Sequence, residues 1–271
     1  VSRNGKDDRR RAVVVAPPVF ANSGIEAWYR KKLTLLVRAM HESISLHVKS
    51  AYRTDAPQLG ADSAVDLRRV LRKWGIRWTA KIEAMSDDIA AAFARRATRY
   101  TDIAMRAAFD KAGWTVRFKP TRKSVEAYRV VQAENVNLIK SIPAQYLKDV
   151  QSAVWTSVMK GGALGDLSRN LRATYGVSVR RAALIARDQN NKAKAVMENV
   201  RRQELGVTEA LWLHSNAGKV PRPTHVAMSG KKFKLAQGMW DEDEQEWILP
   251  GQLINCRCSS RALLPGIPLR D

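Results

Sequence analysis

Apolar residues return every three or four positions through most of this chain, and that spacing predicts long helices. Trp28, Leu33, Leu36, Val37, Met40, Ile44 and Val48, with cations between them, predict one from about Ile25 to Arg53. A second stripe, Leu67, Val70, Leu71, Trp74 and Trp78, follows Asp62 and Ser63, either of which can cap a helix start. Ser86-Asp87 offers another start, so a third helix is expected from there to Ala112, stopped by Gly113. The segment W-T-V-R-F-K-P at 114–120 alternates apolar with polar residues, which predicts a short strand or an extended connector. Helix resumes after Thr121. Proline lacks an amide proton and crowds the preceding turn, so Pro143 is expected to end this helix beyond Lys140. It is also expected to open the next, through Tyr146, Val150, Val154, Trp155 and Val158 to Gly161-Gly162. Two more helices, about Leu164 to Tyr175 and Ser178 to Leu205, are expected to end at Gly176 and Gly206.

Beyond Gly206 the texture changes to short segments punctuated by Gly and Pro. An apolar stretch over Ala210–His214, then K-K-F-K-L and W-I-L-P-G-Q-L-I-N-C-R-C, predict a small α+β module of hairpins with a short helix over Thr224–Met228. The acidic run Asp241–Glu246 reads as a solvated hairpin tip in preference to a cation site. At the other end, the charged start V-S-R-N-G-K-D-D-R-R-R and the prolyl A-P-P-V-F predict an extended arm. The plan is therefore an arm over 1–24, a helical domain over 25–205 with a sub-boundary at 113–120, and a small module over 206–271. Its fold class is mainly α: long basic helices in the N-terminal three quarters, followed by a small α+β C-terminal module with short hairpins.

With 45% hydrophobic and 27% charged residues the chain has the makings of a globular protein, and no apolar run reaches the ~18 residues that a membrane span needs. Charge changes the picture more. The formal net charge is +21, and residues 206–271 hold only eight Lys/Arg against seven Asp/Glu, which leaves 39 against 19 for residues 1–205. Such a field attracts a polyanion, either nucleic acid or an anionic membrane surface. No zinc-finger, homeodomain or RNA-recognition signature is present, so a non-specific, salt-sensitive contact with phosphate is expected. Trp74, Trp78, Trp114 and Trp155 are assigned to the helical core in preference to base stacking.

The two cysteines, Cys256 and Cys258, are too few for a disulfide framework and too close for an unstrained bridge. Reduced thiols and synthesis in the cytoplasm follow. In extended backbone residues two apart share a face, so these thiols, completed by His225 or His214, offer a soft tetrahedral site suited to zinc. The alternative is a pair of thiols packed in the core, with His225 in a local hydrogen bond. A Cys-His nucleophilic pair also exists on paper, but the chain has no Ser-centred elbow, phosphate loop or H-E-x-x-H helix, and no enzymatic activity is expected.

The phrase W-L-H-S-N-A-G-K-V-P-R-P-T-H-V-A-M-S-G-K-K-F, followed by P-G-Q-L-I-N-C-R-C and preceded by I-A-R-D-Q-N-N-K, resembles the Mu F-like minor head proteins of tailed bacteriophages, the head-morphogenesis family. N-L-I-K-S-I-P and G-G-A-L-G-D-L-S extend the resemblance, which covers about Asn135 to Leu264. The family's characteristic positions fall on Arg187, Trp212, Arg222, His225, Gly230, Pro250, Cys256 and Cys258. Many members carry an acidic residue shortly after the Trp, where this chain has Ser215-Asn216. The resemblance implies a virion protein made in the host cytoplasm and placed in the capsid interior near the portal. Its implied partners are portal protein, major capsid or scaffold protein, and phage genomic DNA, in head assembly and in genome packaging or ejection. From other classes, the alternatives are a metal-centred Cys/His enzyme acting on nucleic acid or protein, and a DNA-binding accessory protein free of the capsid.

Overall fold

A computed structural model of the chain describes residues 13–55, 61–159, 164–216 and 220–265. The charged start at 1–11, the side chains of Asp62 and Ser63, and Gly161-Gly162 lie outside the described residues. Four long helices come first: α1 (Ser23–Asp55), α2 (Ala61–Lys111), α3 (Arg122–Met159) and α4 (Leu164–Glu204). Short elements follow: β2 (Glu209–Leu213), α5 (Pro223–Met228), β3 (Lys232–Lys234), β4 (Met239–Asp241), β5 (Glu246–Ile248) and β6 (Ser259–Leu264), while β1 (Val14–Val15) precedes them all. The expected plan of long helices and a small strand-bearing C-terminal module is the one observed. No helix among the described residues is long and apolar enough to cross a membrane.

The long helices run through three of the predicted breaks. Ser86 is buried inside α2, where its hydroxyl donates to the Glu83 carbonyl at 2.8 Å, so it is an interior residue and not a cap. Pro143 lies within α3 because Ile139, Ile142, Tyr146 and Val150 continue one buried face across it. Burial on both sides outweighs the local cost of a missing amide. Gly176 is likewise interior to α4: Leu167, Leu171, Ser178, Ala182 and Ile185 keep the buried period through it, against a penalty of about 1 kcal/mol. Real stops occur at Gly113 and Gly206, where φ of +80° and +74° closes the helix. Gly206 donates to Gln203 and Val207 to Arg202, satisfying two end carbonyls.

The chain forms two compact units, each assembled from separated stretches. One, over 22–97 and 128–190, is helical. Asn22 caps α1 by accepting the Ile25 amide at 3.0 Å, and Tyr29, Leu33, Val37, Met40, Ile44 and Val48 form the buried face. Tyr29 takes the core position expected of its neighbour Trp28, stacking on Phe93 at 4.3 Å, while Trp28 lies under the Arg96 guanidinium. A polar chain crosses this unit. The Tyr29 hydroxyl donates to Asn135 Oδ1 (2.9 Å), Asn135 Nδ2 to Gln189 Oε1 (3.0 Å), and Gln189 Nε2 to Glu134 Oε1 (2.8 Å). Burial, reinforced by Glu134, pushes the Tyr29 phenol up, so it stays protonated and donating. Of the tryptophans assigned to the core, Trp78 is buried; Trp155 remains 39% exposed under Arg68.

The other unit, over 1–21, 98–127 and 191–271, holds the sheet. Its strand order is β1-β6-β2-β3, antiparallel throughout, with Val14 opposite Leu264, Trp212 opposite Ser260 and Ala210 opposite Phe233. β4 and β5 make a separate hairpin. Met105 and Phe109 of α2 join Val207, Ala210, Trp212, Phe233, Ile248 and Leu264 in one core. Residues 114–120 form an extended connector and not a strand, yet their alternation is used: Trp114, Val116 and Phe118 pack against that core.

Charged residues pin α4 to β6. Arg202, 2% exposed, donates to Ser260 Oγ (2.6 Å) and its carbonyl (3.1 Å) and pairs with Glu198. Lys194 Nζ donates to the same glutamate (3.0 Å) and to Ser259 Oγ (3.0 Å), and Ser259 Oγ in turn donates to the Val19 carbonyl at 2.8 Å. One turn away Arg201 forks onto both oxygens of Asp102 at 2.9 and 3.0 Å, with a third bond to the Lys119 carbonyl.

Candidate metal centre

Four short segments of the sheet-bearing unit bring together the side chains singled out in the sequence. β2 alternates inward Ala210 and Trp212 with outward neighbours and delivers His214 just past its end. α5 starts at Pro223, whose fixed φ suits the first helical turn, and buries His225 and Met228 on one face. Both Nη atoms of Arg222 donate to the Ile254 carbonyl at 3.2 Å, tying the start of α5 to the loop that carries the cysteines. That loop turns at Gly251 (φ +89°) and Asn255 (φ +62°). Gly251 is required twice over: its φ is left-handed, and a Cβ would stand 3.1 Å from that of Ala195.

His225 Nδ1 lies 3.5 Å from Cys256 Sγ and 3.6 Å from Cys258 Sγ, and His214 Nδ1 lies 3.6 Å from Cys258 Sγ. Ligand atoms of His225, Cys256 and Cys258 all fall within 4.8 Å of one another, and all three residues are buried. On the far side of the ring, His225 Nε2 stands 3.1 Å from Asp241 Oδ2, off the line of an aligned hydrogen bond. Asp241 is itself 0% exposed; Oδ1 accepts the Asp243 amide at 3.0 Å and Oδ2 the Thr224 hydroxyl at 3.2 Å. The acidic run is therefore only in part the solvated tip it resembled: residues 242–246 are exposed, whereas Asp241 points inward. Sequence reading missed it, since its partner lies on α5 and nothing local separates it from its acidic neighbours.

The thiols are free. They interact so closely that they titrate as a pair: the hydrogen bond from Cys258, helped by His225 and the Gly251 amide, holds Cys256 down at about 4, while burial opposes. The same bond, with burial and repulsion from the first thiolate, pushes Cys258 up. Trp212 packs edge-on to His225 at 5.4 Å, giving the cluster an apolar wall.

The remaining motif positions are structural. Gly230 donates its amide to the Trp212 carbonyl at 2.8 Å with φ +80°, and Pro250 is buried beside Gly251. Arg187 lies on α4 within the helical unit.

The family model described as Phage Mu protein F like protein matches residues 148–261, a span that contains His214, His225, Asp241 and both cysteines. An uncharacterized protein of Haemophilus influenzae is 30% identical over 251 residues, covering 89% of this chain and 54% of that protein. The chain thus spans about half the length of this curated relative. No solved structure matches. Over residues 148–261 the chain is therefore similar to the Mu F-like family, a likeness that points to phage head morphogenesis.

Proposed function

We propose that the chain is a minor head protein of a tailed bacteriophage, associated with the portal and facing the capsid interior, where it touches genomic DNA without reading its sequence. The uneven charge carries this reading. Residues 1–205 hold a net +20 while residues 206–271, the small C-terminal module, are nearly neutral. On α2 the cations Arg72, Lys73, Arg77, Lys81, Arg95 and Arg99 stand exposed on a helix whose opposite face is core. Exposed cations on long helices neutralise phosphates at any sequence and release counterions as they do so. The near-neutral module would then dock on portal or other head protein, leaving the basic helices for the genome during packaging or ejection.

The test is twofold. The chain should co-purify with portal protein or procapsids when expressed with the head genes. Its affinity for unrelated duplexes should be alike and should fall steeply between 50 and 200 mM salt, roughly 10³-fold or more if six phosphates are met. Failure to enter heads, or an affinity indifferent to salt, would sink the proposal. An enzyme centred on Cys256 is disfavoured by the structural character of the family and by burial: Cys256 is 3% and His225 2% exposed, which leaves a substrate little access.

A further inference from the structure

We propose that His214, His225, Cys256 and Cys258 bind one zinc ion in a closed, structural site, with Asp241 as the outer carboxylate that fixes His225. Zinc held tetrahedrally at about 2.3 Å from sulfur and 2.0–2.1 Å from nitrogen separates such a sulfur and nitrogen by about 3.6 Å. His225 Nδ1 already stands 3.5 and 3.6 Å from the two sulfurs. Its ring is oriented as a ligand's would be, with Nδ1 toward both thiols and Nε2 toward a buried carboxylate. Asp241 is in turn held by Thr224 and by the amides of its own turn, which leaves it little freedom to move. The Gly251 amide pointing at Cys256 Sγ (3.3 Å) is the kind of donor that supports a metal-bound thiolate.

His214 supplies the fourth corner. Its Nδ1 is 3.6 Å from Cys258 Sγ but lies outside the tight group of three, so a turn of the half-buried ring completes the set. A small shift of this kind is all that the ion requires, because the His214 amide is anchored on Ser229 Oγ at 3.2 Å. Two thiolates and two imidazoles in a tetrahedron select zinc over hard cations. With every position taken by protein, the ion has no open coordination site, and its role is to tie the end of β2, α5 and the cysteine loop together. Asp241 extends the tie to the β4–β5 hairpin. That hairpin displays Trp240 and Trp247, 39% and 49% exposed and edge-to-face at 5.8 Å, so the ion also fixes the pose of an aromatic pair on the surface.

The experiment uses the 271-residue chain purified without chelator, with zinc measured by elemental analysis and the metal exchanged for Co2+. The expected result is about one zinc per chain and the intense visible absorption of a tetrahedral cobalt site with two thiolates. Asp241→Asn should weaken zinc binding roughly 10–100-fold, with His214→Ala costing at least as much. Both changes leave the cysteines in place, and helical circular dichroism reports whether the variants fold. A folded protein that carries no zinc and develops no cobalt bands overturns the proposal. If His214→Ala leaves zinc affinity unchanged, the site is open rather than closed, and the structural role falls. These readings are made on the isolated chain, so they stand or fall apart from the assignment to phage heads.

Discussion

The two units of this protein solve the same problem of cohesion with different means. In the helical unit, long repeats of apolar residues bury themselves along α1 to α4, and a polar chain that runs from buried Tyr29 through Asn135 and Gln189 out to Glu134 is mostly neutral and hydrogen-bonded. In the sheet-bearing unit the strands are two to six residues long. Such short elements bury little, so point interactions carry more: Lys194, Glu198 and Arg202 against β6, Arg201 on Asp102, and the Cys/His cluster. The contrast teaches that a periodic pattern suffices where elements are long, whereas short elements are held by specific pairs distant in sequence.

Breaking the ionic ladder should have the largest effect. Glu198→Gln leaves Lys194 and Arg202 buried without a counterion, and a loss of about 3–5 kcal/mol is expected in urea titrations followed by tryptophan fluorescence. A loss within experimental error would show that these charges are solvated in the native state. In the helical unit, Leu33→Ala should cost about 2–5 kcal/mol, with the same measurement deciding whether the fully buried site can collapse around the cavity. If the two units melt separately, each substitution should shift only its own transition.

A smaller effect is expected at the cysteine loop. Gly251→Ala places a Cβ against Ala195 at a left-handed φ, and roughly 1–3 kcal/mol of destabilisation should appear as a lower thermal midpoint. The smallest is a pH response of the helical unit. Burial, with Lys49 nearby, lowers the pKa of His41, whose Nδ1 lies 2.8 Å from the Tyr146 hydroxyl. The folded state therefore binds a proton less readily than the unfolded chain, so this contribution is present above the ordinary histidine range near 6.5 and is lost as pH falls below it. Denaturation at pH 7.5 and 5.5 should show the drop, and His41→Gln should reduce it; an unchanged slope would assign the drop to carboxylates.

The legibility of the sequence follows the same division. Helix α1 was expected over Ile25 to Arg53 and runs Ser23–Asp55, because seven apolar positions and an Asn at its start agree. The breaks expected at Ser86, Pro143 and Gly176 did not occur, since each residue's local preference is overridden by a buried face that continues past it. At the candidate site the four soft ligands were legible from their chemistry, and the structure brings them within reach of one another. Asp241 was not, because a carboxylate among four other acids shows no periodic sign of which one turns inward. Lys194, Glu198 and Arg202 were similarly hidden: an i, i+4 series of opposite charges reads as a solvated face until β6 covers it.

The bond from Ser259 to the Val19 carbonyl, together with the pairing of Val14 and Val15 to β6, has a consequence for the order of events during synthesis. Strand β6 sits between β1 and β2, so the sheet is missing its centre until residues 259–264 have left the ribosome. By then all four long helices have emerged and are free to fold. Closing a loop of 240 residues costs only slowly more than closing a short one, but it cannot begin early. A chain interrupted before β6 would thus present finished helices and an unfinished sheet, and the sheet-bearing module would become competent only after those helices.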